Sequence, residues 1–136
     1  MPSRSKNDLH PTLVTAYELA EHKFRTLYPE ASQVFLTCTY RSDAEQEALY
    51  AKGRTEKGSK VTNARAGQSP HNYNPSFAFD IAFIGLNKKL DWNDDLFKKF
   101  ADCIKAVSTS VEWGGDWTKF SDMPHYELKN WKTSVS

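Results

Sequence analysis

A chain of 136 residues suits one hydrophobic core, so a single domain over residues 1–136 is expected. Eighteen Lys and Arg against seventeen Asp and Glu leave a net charge of +1, which offers no field to a polyanion and argues against nucleic-acid binding. No apolar run approaches the roughly 18 residues of a membrane span, no signal-like apolar stretch follows Met1, and 13% aromatic residues argue against disorder, so a soluble, cytoplasmically made domain without membrane insertion is expected.

Between Asp8 and Ala31, Leu13, Ala16, Tyr17, Ala20, Phe24 and Leu27 recur at the three- and four-residue spacing of an amphipathic helix. His22 lies off that stripe and His10 stands just before Pro11, so both read as solvated rather than metal-bound. The run VFLTCTY from Val34 to Tyr40 predicts a strand, with Val34, Leu36, Cys38 and Tyr40 on one face and Phe35, Thr37 and Thr39 on the other. Ser42 and Glu45 have the form of a capping box, which predicts a second helix to about Lys52 and holds Arg41 at a strand-to-helix junction.

Residues 53–70 are polar, aperiodic and Gly-containing, and a connection this long predicts a wall or flap of a cleft. From Phe77 to Phe83 the chain alternates: Phe77, Phe79, Ile81 and Phe83 point one way, Ala78, Asp80 and Ala82 the other. Packing accounts for the phenylalanines but not for a carboxylate between two alanines. Leu96, Phe97, Phe100, Ile104 and Val107 behind an Asn93 cap predict a third helix ending near Ser110. Gly114-Gly115 then breaks regularity, and His125 to Leu128 predicts a short strand with His125 and Glu127 on one face. The mixture describes an α+β fold, a small antiparallel sheet flanked by about three helices. Cys38 and Cys103 lie outside any C-x-x-C spacing and read as small buried hydrophobes, so a metal would use His and carboxylate ligands.

A hydrolytic zinc site has three protein ligands and an open fourth position, a count that His71, Asp80 and His125 meet. Several ordered motifs carry a resemblance: Arg41 and Gln46 in YRSDAEQEALY, Ser69, His71 and Asp80 in SPHNYNPSFAFD, then WGGDW, then Asp122 and His125 in DMPHYEL. Over roughly Phe35 to Leu128 the chain resembles the metallopeptidases of the D-Ala-D-Ala carboxypeptidase and dipeptidase group, most closely the phage L-alanyl-D-glutamate endopeptidases, whose fold the hedgehog signalling domain shares. The family's first His and Asp follow an H-x6-D pattern containing a Gly; this chain has eight intervening residues and an Asn74-Pro75-Ser76 bend.

The resemblance implies a hedgehog/DD-peptidase-like fold, Zn2+ held by His71, Asp80 and His125, Asp122 as catalytic base and Arg41 near the substrate carbonyl. Arg41 has the alternative of a structural ion pair, and Asp122 that of a turn cap. Glu127 is either an acceptor for a metal-bound imidazole or a solvated carboxylate. Gln46, Ser69, Trp113 and Trp117 are the candidate substrate-binding residues; Ser69 has the alternative of satisfying a turn, and both tryptophans that of packing in the core. The implied activity is cleavage of the L-Ala–D-Glu bond of bacterial peptidoglycan by a monomeric phage or prophage endolysin, which accumulates in the host cytoplasm and reaches the wall once the membrane opens. D-Ala-D-Ala carboxypeptidase or dipeptidase activity, and a non-catalytic zinc-stabilised binding module, are the alternatives.

Overall fold

In the computed structural model, which describes residues 1–135, the first helix, α1 (Pro11–Leu27), begins where His10 accepts the Thr12 amide hydrogen at Nδ1 and Pro11 takes the first helical position. It stops at Leu27, short of the predicted Ala31, because Pro29 cannot continue a helix; Leu27, expected on the apolar stripe, is exposed in the last turn. Strand β1 (Gln33–Cys38) follows, and helix α2 (Asp43–Ala51) opens with the expected capping box: Ser42 Oγ accepts from the Glu45 amide at 3.1 Å and Glu45 Oε1 from the Ser42 amide at 2.8 Å. Strand β2 (Ala78–Ile84), the Asn93-capped helix α3 (Asp94–Val107), β3 (Val111–Trp113) and β4 (His125–Leu128) complete the main elements.

The strands form one antiparallel sheet in the order β1-β2-β4-β3. Helices α1 and α3 pack on one face. There Phe24 meets Phe83 at 5.7 Å between ring centroids, Phe100 meets Tyr126 at 5.9 Å, and the cross-strand pair Phe79 and Tyr126 stacks at 5.1 Å. The opposite face carries Asp80 and His125. It shares a cleft with Thr62, Ala64 and Gln68 of the long connection after α2, the wall that the composition of residues 53–70 predicts. Among the described residues no helix is long and apolar enough to cross a membrane.

Two positions depart from simple alternation. Leu36 pairs with Ile81 on the core side, but the β1–β2 register then shifts and Cys38 pairs with Asp80. Cross-strand partners share a face, so this bulge turns Cys38 away from Val34 and Leu36 and onto the face of Asp80. Phe77 precedes the strand and joins Tyr73, Trp131 and His10 in a peripheral aromatic group instead of the core of Phe79, Ile81 and Phe83.

The phenol oxygen of Tyr126 is buried without a hydrogen-bond partner. An unsatisfied buried hydroxyl costs about 1–3 kcal/mol. Tyr126→Phe is therefore expected to match or exceed the parent in urea-unfolding stability, and a loss beyond about 1 kcal/mol would show that the hydroxyl has a partner.

Candidate metal centre

The sheet register sets the centre. Asp80 on β2 lies between Cys38 on β1 and His125 on β4, each directly opposite it. His71 arrives from a short 3-10 turn, Pro70–Asn72, whose first residue follows the capping Ser69. Its Nε2 lies 3.3 Å from Asp80 Oδ1, and His125 Nδ1 lies 2.9 Å from the same oxygen. The eight residues between His71 and Asp80 are accommodated by looping out: Asn74 and Pro75 are exposed, and Asp80 stays on the small-residue face with buried Ala78 and Ala82.

The far nitrogen of each imidazole is held by an acceptor. His71 Nδ1 is 2.7 Å from the Thr39 carbonyl oxygen, which can only accept, so Nδ1 carries a hydrogen. His125 Nε2 lies 2.8 Å from Glu127 Oε1, which fixes its hydrogen likewise. These partners leave Nε2 of His71 and Nδ1 of His125 as the nitrogens that face Asp80. Two neutral imidazoles and a carboxylate, each imidazole oriented from behind, form a donor set suited to a divalent cation.

Charge points the same way. Burial alone would lower the pKa of His71, but the Asp80 carboxylate, assisted by Cys38, outweighs it and raises the value to about 10. For His125, burial is likewise outweighed by hydrogen bonds to Asp80 and Glu127, and the value rises to about 9. Burial would raise Asp80, yet the two imidazoles hold its carboxyl well below the usual carboxylate range. Without metal, two protons thus sit where a divalent cation would place the same charge, and a cation must displace them.

Cys38, His71 and Asp80 form a second set of donors, all within 4.8 Å of one another. Cys38 Sγ is nearest His71 Nδ1, at 3.6 Å, the nitrogen already turned to Thr39, and Arg41 Nη2 lies against the sulfur at 3.6 Å. A cation on the sulfur would meet that guanidinium.

Arg41 lines the cleft, with Nη1 donating to Gln46 Oε1 at 3.0 Å and Nη2 3.8 Å from Asp80 Oδ2. Its Nε is buried without a protein partner. Asp122 is on the cleft lining beside His125 and Trp117. Its carbonyl accepts from the His125 amide at 3.2 Å and its amide donates to Gly114 at 2.9 Å. A Cβ on Gly114 would collide with the Asp122 carbonyl, so the first glycine of WGGDW permits this close approach. Desolvation in the cleft wall, then the Asp80 charge, pushes the Asp122 pKa up, against the pull of His125, His71 and Arg41.

The candidate substrate-binding residues separate. Trp117 lines the cleft, its ring 5.4 Å from that of His125 and its Nε1 donating to Glu112 at 2.8 Å. Ser69 lines it too, while its hydroxyl accepts from the His71 amide at 3.2 Å. Gln46 is fully buried and off the cleft lining; it receives Arg41 and donates to the Ala64 carbonyl at 2.8 Å. Trp113 is buried, donates to the Met123 carbonyl at 2.7 Å and supports the loop rather than the cleft.

Asn72 escaped the sequence reading. Its Oδ1 accepts from the Gly67 and Ser69 amides and its Nδ2 donates to the Arg41 carbonyl at 3.0 Å, tying the cleft wall to the arginine. Its place beside His71 was the available signal.

These shifts have a definite sign. Raised imidazole pKa values contribute stability that is fully present below about pH 6.5 and lost as pH rises through 9 to 10. The lowered Asp80 contributes stability present above about pH 4 and lost on further acidification. Metal-stripped protein is therefore expected to lose urea-unfolding midpoint between pH 6.5 and 10 through this cluster, with the loss reduced in His125→Gln; equal alkaline slopes in both would contradict the assignment.

A family model described as D-alanyl-D-alanine carboxypeptidase matches residues 62–128. The chain is 34% identical over 129 residues to the peptidoglycan L-alanyl-D-glutamate endopeptidase CwlK of Bacillus subtilis strain 168, covering 90% of this chain and 74% of that protein. It is also 34% identical over 92 residues to the L-alanyl-D-glutamate peptidase of Listeria phage A118, covering 64% of this chain but only 32% of the phage protein. In fold it is similar to the L-Ala D-Glu endopeptidase ChiX of Serratia marcescens, with a TM-score of 0.67 and 22% identity over 100% of this chain and 93% of the other. The chain thus belongs to the metallopeptidase family that groups D-alanyl-D-alanine carboxypeptidases with L-alanyl-D-glutamate endopeptidases.

Proposed function

We propose that this metallopeptidase is a zinc enzyme that hydrolyses the L-alanyl-D-glutamate bond of the peptidoglycan stem peptide. The observation that carries the reading is the convergence of His71 Nε2 and His125 Nδ1 on one oxygen of Asp80, beneath a cleft that Asp122 and Arg41 also line. The endopeptidase activity named for the 34% identical Bacillus protein supports the choice of bond.

In this reading His71, Asp80 and His125 hold the ion, which when bound polarises a carbonyl and activates water. The chain's residues do the rest. Thr39 and Glu127 keep the ligating nitrogens pointed inward. Asp122 takes the proton of the attacking water and delivers it to the amide nitrogen that leaves; its raised pKa makes it a stronger base than an ordinary carboxylate. Arg41, braced by Gln46 and lining the cleft, offers a fixed guanidinium to an anionic oxygen. Ser69 steadies the His71 turn, and Trp117 forms a rigid wall for the peptide.

The biological setting we propose is lysis by a monomeric phage or prophage endolysin, which accumulates in the host cytoplasm and meets the wall after membrane permeabilisation. The Listeria phage relative supports this setting.

Digestion of purified wall followed by mass analysis tests the bond: new L-Ala C-termini and D-Glu N-termini are expected, whereas release of D-Ala alone would favour the carboxypeptidase alternative. Asp122→Ala should lower turnover by at least about a hundredfold with zinc and fold retained, since general-base catalysis contributes roughly 10²–10⁴-fold. Undiminished turnover would refute the base. His71→Ala and His125→Ala should lose stoichiometric zinc, and its retention in either would remove that residue from the ligand set.

A further inference from the structure

Beside Asp122 and Trp117 the catalytic cleft continues into a larger groove of about 670 Å³, to which Lys60, Asn63 and Phe120 contribute. Val61, Thr62 and Gln68 line both spaces, so a substrate positioned at Asp122 extends naturally from one into the other.

Phe120 is the unusual part of this groove. The residue is 79% exposed, it lies outside the core cluster, and its φ of 54° is in the left-handed region that bulky residues rarely adopt. Packing supplies no reason to hold a phenyl ring in the open on a strained backbone two residues before Asp122. Trp117 gives the groove a second aromatic surface, fixed by its bond to Glu112 and its contact with His125. Thr62, Asn63 and Gln68 add neutral donors and acceptors. Aromatic faces for C–H surface, together with amides and a hydroxyl for polar edges, match the chemistry of a pyranose ring, and Lys60 adds a donor for its hydroxyls.

The covalent structure of the substrate puts a sugar on the acyl side of the scissile bond. This step rests on the proposed L-alanyl-D-glutamate specificity. L-Alanine is the first residue of the stem peptide and is amide-linked to the lactyl group of N-acetylmuramic acid. L-Alanine and the lactyl group together span about two residue lengths at roughly 3.3–3.6 Å each, so with D-glutamate turned toward Arg41 the sugar comes within reach of a groove adjoining the cleft on the other side. On the leaving side stands D-glutamate, whose carboxylate suits Arg41, a residue that lines the catalytic cleft but not the groove. We propose that the groove at Phe120 is a muramoyl subsite, binding the N-acetylmuramoyl ring against Phe120 and Trp117, and that the enzyme consequently prefers glycan-attached stem peptides to free ones.

The test compares two substrates of identical peptide sequence, one capped at L-Ala by N-acetylmuramic acid and the other by an acetyl group, so that both have neutral N-termini. The zinc-loaded enzyme is expected to show a kcat/KM ratio of about three- to tenfold in favour of the muramoyl substrate, the scale of one aromatic stacking contact. Phe120→Ala should bring the ratio close to one, and Phe120→Trp should preserve it. A general disturbance of the loop would lower both rates and leave the ratio alone. A ratio near one in the parent enzyme, or an unchanged ratio in Phe120→Ala, overturns the subsite while leaving the bond specificity intact. Failure to cut either substrate between L-Ala and D-Glu overturns the specificity, and the subsite with it.

Discussion

The Asp80 carboxylate attracts two imidazoles to one oxygen, and the rest of the centre is arranged to sustain that attraction in a buried place. Burial opposes charge on all three groups, but their mutual attraction outweighs it. The arrangement depends on the sheet: antiparallel pairing sets His125 directly opposite Asp80, while the alanines on either side of Asp80 in β2 leave room above that face. The aromatic core on the other face, where Phe79 stacks on Tyr126, holds β2 and β4 in register from behind.

Around this centre, polar residues act mainly on one another. Glu112 and Glu127 are directly opposed across β3 and β4, a repulsive pairing in isolation. Trp117 donates to one and His125 faces the other, so two like charges become anchors for two rings. Asn72 and Gln46 similarly join the long connection to Arg41. Side chains locked in this way limit the reorganisation required when substrate enters.

Much of this was legible in the sequence because it depends on local pattern. The Ser42 capping box, the apolar stripes of α1 and α3 and the alternation that isolates Asp80 are properties of neighbouring residues. What escaped depends on partners distant in sequence. Cys38 follows β1 alternation until its register with β2 shifts, and only then faces Asp80. Gln46 has the appearance of a site residue in a motif, but Arg41, Ala64 and burial give it an internal role. β3, three residues long before a glycine pair, is too short for periodicity to reveal. The expanded His71–Asp80 connection leaves the centre assembled because its extra residues lie outside, at exposed Asn74 and Pro75.

On the proposed reading the ion takes the two-histidine seat rather than the neighbouring one that includes Cys38. X-ray absorption at the zinc edge, on protein loaded with one ion per chain, tests this directly. The expected shell contains nitrogen and oxygen only, with the outer scattering of two imidazoles. A sulfur neighbour at about 2.3 Å, or the signature of a single imidazole, would contradict it.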